Sequence, residues 1–206
     1  VVLTGVNLSV DSGEVVSILG ENGAGKSTLI KILGGIYKAD SGEIYIDGEL
    51  KNISSAAVAG ANGIRIIHQE IILVPARTIA ANVFLGREIK NKFGFVDEKA
   101  MERETQKVID DLHLNLRADQ LVENLSIGMQ QLVEIIKAVS AQAKIVVMDE
   151  PTSSLSQSEV ETLFDIIRLL KKKGVGIIYI SHRLEELFEI TDKIVVLRDG
   201  KMVGSV

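Results

Sequence analysis

Gly20-Glu21-Asn22-Gly23-Ala24-Gly25-Lys26-Ser27-Thr28, GENGAGKST in one-letter form, is the stretch that decides the fold. It follows the strand-sized apolar run EVVSILG and leads into helical spacing from Lys26 to about Gly34. The G-x-x-x-x-G-K-S pattern in a strand-to-helix setting is a P-loop. Its glycines let backbone amides curl round the β- and γ-phosphates of a nucleotide. Lys26 adds a point charge, and the Ser27 hydroxyl is offered to Mg²⁺. All of Gly20 to Thr28 are therefore candidate contacts.

Outward from the loop, the chain alternates strands and helices on both sides of a helical stretch. VVLTGVNLSV and GEIYIDG alternate apolar and polar residues, which predicts half-buried strands, the second closed by Asp47-Gly48. IRIIHQ predicts a short strand ending at Gln69. TIAANVFLG, DEKAMERETQKVIDDLHL and MQQLVEIIKAVSA then carry helical spacing with no clear strand between them. The α/β pattern resumes with the strand KIVVMDE, a helix from Gln157 to Lys173 and the strand VGIIYIS. A helix from Arg183 to Glu189, then KIVVLRDG and KMVGSV, complete it. Runs such as IVVM and IIYI are apolar on both faces, as central parallel strands covered by helices must be. The reading is an α/β core over 1–69 and 142–206, with an inserted helical subdomain over 70–141.

The composition bounds the function. With 206 residues there is apolar material for a full core. A net charge of −5 offers no broad basic face, so nucleic acid is not an expected partner. The absence of cysteine excludes a disulfide scaffold and thiolate metal sites, and it fits a reducing compartment. No apolar run has the length of a membrane span, and no signal-peptide pattern opens the chain, which reads as trimmed at both ends.

Three further features belong to phosphate chemistry. In IVVMDE, Asp149 and Glu150 fall at the carboxyl end of a buried strand, where open α/β sheets place their ligands. Asp149 is placed to hold Mg²⁺ through water, and Glu150 to polarise an attacking water. Gln69 leaves its strand as a neutral amide able to touch metal or water. His182, in YISHR, ends another apolar strand, where an imidazole can bond the γ-phosphate and orient the water. His68 reads as a strand-end residue and His113 as a solvated helix residue, neither with a site role.

LSIGMQQ, Leu125–Gln131, poses a different question. Ser126 can cap a helix and Gly128 leaves its backbone open, so the exposed amides would suit an anion. A helix start is worth roughly 0.3–2 kcal/mol towards an anion, whereas even millimolar binding needs about 4 kcal/mol. The motif carries no lysine, so it must complete a site whose main affinity lies on a P-loop, its own or that of another copy.

The P-loop, Gln69, LSIG, the acidic strand and the strand-end His182, in that order, resemble the nucleotide-binding domain of ABC transporters over essentially the whole chain. HQEIILVPARTIAANVFLGRE, LSIGMQQLVEIIKAV, MDEPTSSLSQSEVETLF and GIIYISHRLEELFEITDKIVVLRDGK are similar to the monosaccharide importers of the ribose, galactose, xylose and arabinose group. The resemblance implies a RecA-like P-loop NTPase core with a mainly parallel sheet, an N-terminal antiparallel β subdomain and an inserted helical subdomain. It implies hydrolysis of ATP with Mg²⁺, catalysed by Glu150, His182 and Gln69, with Ser27, Gln69 and Asp149 at the metal. Ser126 and Gly128 would bind the γ-phosphate held by an opposing domain, the second of two in one polypeptide, with the loop TSSLS linking the two sites. Permease subunits would dock a coupling helix on Glu70–Phe95, with an extracellular or periplasmic sugar-binding protein acting indirectly. The chain would lie peripherally on the cytoplasmic face of the membrane. Ile127, Met129 and Ser156 depart from the common pattern, the first and third in the manner of the sugar group, and the adenine-stacking aromatic residue would precede Val1.

Other classes fit less of the sequence. A soluble ABC ATPase acting on nucleic acid or ribosomes shares the motifs but not the acidic balance. Intact Lys26, Asp149, Glu150 and His182 oppose a non-hydrolysing ATP sensor. No Asn-Lys-x-Asp guanine reader is present, and the inserted segment has no room for a long coiled coil.

Overall fold

The computed structural model describes residues 2–205. Strands form where β-branched runs are apolar on both faces. These are β1 (Val15–Leu19), β4 (Ile64–Ile67), β5 (Ile145–Asp149), β6 (Gly176–Ile180) and β7 (Lys193–Arg198); the edge strand β8 (Lys201–Ser205), KMVGS, is mostly exposed. Together they make one sheet in the order β4-β5-β6-β1-β7-β8, parallel except for the β7–β8 hairpin. A separate antiparallel pair joins β2 (Ile44–Ile46) to β3 (Glu49–Lys51). Its turn uses Asp47 and Gly48, both with positive φ, as a two-residue hairpin requires.

Helices fill the connections: α1 (Lys26–Leu33), α2 (Ala56–Ala61), α3 (Ile79–Val83), α4 (Glu98–Asp111), α5 (Ile127–Ser140), α6 (Gln157–Lys172) and α7 (Leu184–Ile190). The chain packs as two units. The first comprises the residues up to Ile67, Ala143–Pro151 and the residues from Ile167 onward; the second comprises His68–Gln142 and Thr152–Ile166. The first contains the sheet, with Ile18, Met148 and Tyr179 fully buried in it. The second is helical, and its core includes Ile79, Ile109, Ile135 and Ile136. Each such side chain contributes roughly 1.5–3 kcal/mol by leaving water. Thr152–Ile166 joins the second unit, a stretch that helical spacing alone left with the α/β core.

Three sequence expectations need correction. VVLTGVNLSV forms no strand among its described residues, Val1 lying outside them. Val6, Leu8 and Val10 do pack on the core, so the alternation is real. Its backbone joins no ladder among the described residues, and the Thr4 N–H donates instead to the Gly200 carbonyl at 2.8 Å. The strand predicted to end at Gln69 stops at Ile67. His113 is exposed as expected but lies one residue past the α4 cap Leu112, with φ 56°. At this left-handed position its N–H returns to the Asp110 carbonyl.

Candidate nucleotide site

The sheet aligns three strand ends in the first unit. Ile180 of β6 is in register with Ile18 of β1 on one side and Asp149 of β5 on the other. All three strands are parallel, so the P-loop, the acidic pair and His182 leave from the same edge, with the histidine strand in the middle. Neighbouring strands are about 4.8 Å apart, which sets the P-loop and acidic strands roughly 10 Å from each other. That span suits a phosphate chain lying between them.

Backbone crowding dictates the loop's glycines. A Cβ on Gly20 would sit 2.4 Å from the Leu197 carbonyl oxygen, a backbone atom that cannot turn aside. Gly25, with φ 109°, caps α1 in a conformation open to glycine. The Gly200 N–H donates to the Ala24 carbonyl at 3.0 Å, tying the loop to the β7–β8 turn. Within this frame Lys26 Nζ donates to the carbonyls of Gly20 at 2.5 Å and Glu21 at 3.1 Å. Ser27 is exposed and Thr28 half-buried in the first turn of α1. The short approach and the left-handed cap give the backbone the bare, amide-lined curve that a polyphosphate needs. The Ser27 hydroxyl and the Asp149 carboxylate are oxygen donors of the kind Mg²⁺ takes, so the residues present fit that ion.

Glu150 carries a feature no sequence pattern announces. Its φ is 47°, left-handed for a residue with a side chain, and the residue is held there by its N–H donating to the Ile180 carbonyl at 2.9 Å. Such backbone costs of order 1–3 kcal/mol and concentrates at functional sites. The kink takes Glu150 off the strand line, and its Oε1 lies 3.4 Å from Nδ1 of His182. The structure thus brings the predicted base and the predicted imidazole together.

Ser126, Gly128 and Gln69 belong to the second unit. Gln69 is exposed, two residues past β4. Ser126 caps α5, its Oγ accepting the Met129 N–H at 3.1 Å. The helix start is not open as expected, because Gly128 is buried. A Cβ built on it would stand 2.1 Å from the Glu159 carboxylate. Glu159 Oε1 accepts the Ser126 hydroxyl at 3.1 Å, while Oε2 accepts the Ser156 N–H at 2.9 Å and its hydroxyl at 2.8 Å. The Ser156 backbone and hydroxyl bonds, with Ser126 adding to them, hold this carboxyl below the usual glutamate range. An internal carboxylate therefore lies against the motif predicted to bind phosphate. Sequence reading missed it, although Ser156-x-x-Glu159 has capping-box spacing and was there to be read.

Residues 3–153, well over half of the chain, match the family described as ABC transporter, and the chain belongs to that family. It is 49% identical over 199 residues to the ribose import ATP-binding protein RbsA of Lacticaseibacillus paracasei, covering 97% of this chain and 40% of that protein. It is 50% identical over 204 residues to the protein of the same name from Lactococcus lactis subsp. lactis, covering 99% and 42%. The chain spans about two fifths of the length of these curated relatives. Among solved structures it is similar to a nucleotide-free ATP-binding cassette from an ABC transporter, with TM-score 0.86, 28% identity and coverage of 99% and 84%. It is also similar to the dimeric bacterial ABC transporter cassette MJ0796, with TM-score 0.81, 25% identity and coverage of 100% and 90%.

Proposed function

We propose that this chain is the ATP-binding and ATP-hydrolysing domain of a monosaccharide importer, the first of two such domains in one polypeptide. The observation that carries the reading is the common edge of β1, β6 and β5, from which Lys26, His182 and Glu150 leave side by side. The relatives' printed role in ribose import supports the substrate class.

On this reading the amides of Gly20–Thr28 receive the phosphates, and Lys26 exchanges its two loop carbonyls for the β- and γ-phosphate oxygens. Ser27, Gln69 and Asp149 would hold Mg²⁺, which would supply positive charge to offset that of the phosphates. Glu150 takes a proton from water as the water oxygen bonds to the γ-phosphorus. The bond to the bridging oxygen breaks, and its electron pair leaves with ADP. With Nδ1 of His182 turned to Glu150, Nε2 is the nitrogen left to face the γ-phosphate. Ser126 and Gly128 receive the γ-phosphate of the opposing domain, and Glu159 gives way to it, because two anions cannot share one helix start.

The segment from Glu70 to Phe95 exposes Ile72, Leu85, Phe93 and Phe95, the last two more than 70% exposed. Exposed apolar groups on one segment suit a protein partner, which we assign to the permease. No helix among the described residues is long and apolar enough to cross a membrane. The relatives' printed role as import ATP-binding proteins supports a peripheral place on the cytoplasmic face beside subunits that do cross. Glu150→Gln tests the chemistry: ATP binding is retained and turnover lost. Wild-type turnover in that variant removes Glu150 as the base.

A further inference from the structure

We propose that Glu186 is a positioning residue for His182, its buried carboxylate fixing the turn that aims the imidazole at Glu150. The inference rests on the hydrolytic reading of this site. Glu186 is only 4% exposed, and carboxylates are almost never so buried without partners. Its Oε2 accepts the Tyr179 and Ser181 hydroxyls, each at 2.8 Å, and its Oε1 accepts Nη1 of Arg183 at 2.8 Å. Ser181 Oγ also accepts the Arg183 N–H at 3.1 Å, and the Glu186 N–H donates to the Arg183 carbonyl at 3.1 Å.

The residues on either side of His182 are thus tied to one carboxylate, while Tyr179, fully buried in β6, ties that carboxylate to the sheet. His182 needs this. Its side chain is 67% exposed, and Glu150 at 3.4 Å is the contact that defines its direction. An imidazole that packing does not hold is aimed by its backbone, and Glu186 sets that backbone. A purely structural role, satisfying buried hydroxyls and the start of α7, predicts a different pattern of effects.

A double-mutant cycle in the full-length protein separates the two roles. Glu186→Gln, His182→Ala and the double variant are compared for ATP turnover, nucleotide affinity and melting temperature. A mis-aimed catalytic group costs about 10–100-fold. Glu186→Gln is therefore expected to lower kcat by about that factor, with KM for ATP within about twofold because the P-loop carries binding. In the His182→Ala background the same change is expected to add less than about twofold, since the residue it positions is gone. An equal loss in both backgrounds, or an unaltered kcat in Glu186→Gln, overturns the proposal. Should Glu186→Gln fail to fold, Ser181→Ala removes one tie while the Tyr179 hydroxyl and the Arg183 guanidinium still partner the carboxylate, and the same non-additivity is required of it. Wild-type protein without ATP turnover would instead sink the hydrolytic reading.

Discussion

Gly128→Ala puts the two roles of the α5 start in opposition. Gly128 lies in the first turn of a helix, so alanine lowers the unfolded chain's entropy advantage and gains up to about 1 kcal/mol. Against this, the new methyl would overlap the Glu159 carboxylate, standing 2.1 Å from its carbon and nearer oxygen. That group is the far end of a flexible side chain, so it swings away. Its bond to Ser126 goes with it, while the two bonds to Ser156 can survive on Oε2. One solvent-exposed charged bond is worth roughly 1 kcal/mol or less. The two contributions nearly cancel, and the melting temperature should move by no more than about 3 °C.

Function does not cancel. On the proposed function, a methyl on the backbone where an opposing γ-phosphate is placed holds it beyond hydrogen-bonding reach, and a bond to a charged group is worth about 1.5–3 kcal/mol. Closure of the paired domains on ATP should weaken by roughly 10–150-fold. ATP turnover by the full-length protein with its membrane partners reads this directly, with thermal unfolding as the control. Turnover within twofold of wild type at unchanged melting temperature would remove Gly128 from the phosphate site. A fall in melting temperature of more than about 6 °C would show that the glycine serves packing instead.

Two further outcomes concern the helical unit. Arg87 donates to the carbonyls of Val83, Lys137 and Ser140 and to the Ser140 hydroxyl at 2.9–3.3 Å, closing the end of α5, so Arg87→Ala should cost about 2–3 kcal/mol. Denaturant titration showing a loss below about 0.5 kcal/mol contradicts that role. Burial raises the Glu134 carboxyl above the ordinary glutamate range, a shift that Lys137, the Ile72 N–H and His68 only moderate. A raised folded-state pKa gives stability that is present below the unfolded pKa and lost as pH rises through the folded one. Wild type should therefore lose ground to Glu134→Gln between acid and neutral pH, and a gain over that interval in urea titrations would refute the assignment.

The parts of the site written in consecutive residues were legible. GENGAGKST, IVVMDE and YISHR each state a strand end and the chemistry that leaves it, and the parallel-sheet rule puts those ends on one edge. The strand order was not legible, because IVVM and IIYI are equally apolar and either could neighbour β1. The same limit misled at VVLTGVNLSV, where alternation specifies the face a residue buries and is silent on whether its backbone pairs with a strand. Glu186 and Glu159 escaped for a related reason. As single carboxylates in polar helix starts they look solvated, and their meaning lies in what the fold brings against them. For Glu186 those partners are the hydroxyls and guanidinium around His182; for Glu159 they are the serine and glycine that open α5. Both acids stand behind residues that the sequence singles out as candidates, and both are anions beside groups assigned to phosphate. The fold therefore supplies its own negative charge behind His182 and at the α5 start. On the roles proposed above, the first must stay for the imidazole to keep its aim, and the second must leave for an opposing nucleotide to enter. Opposite responses of turnover to neutralising the two, a loss at Glu186 and none or a gain at Glu159, follow from that difference.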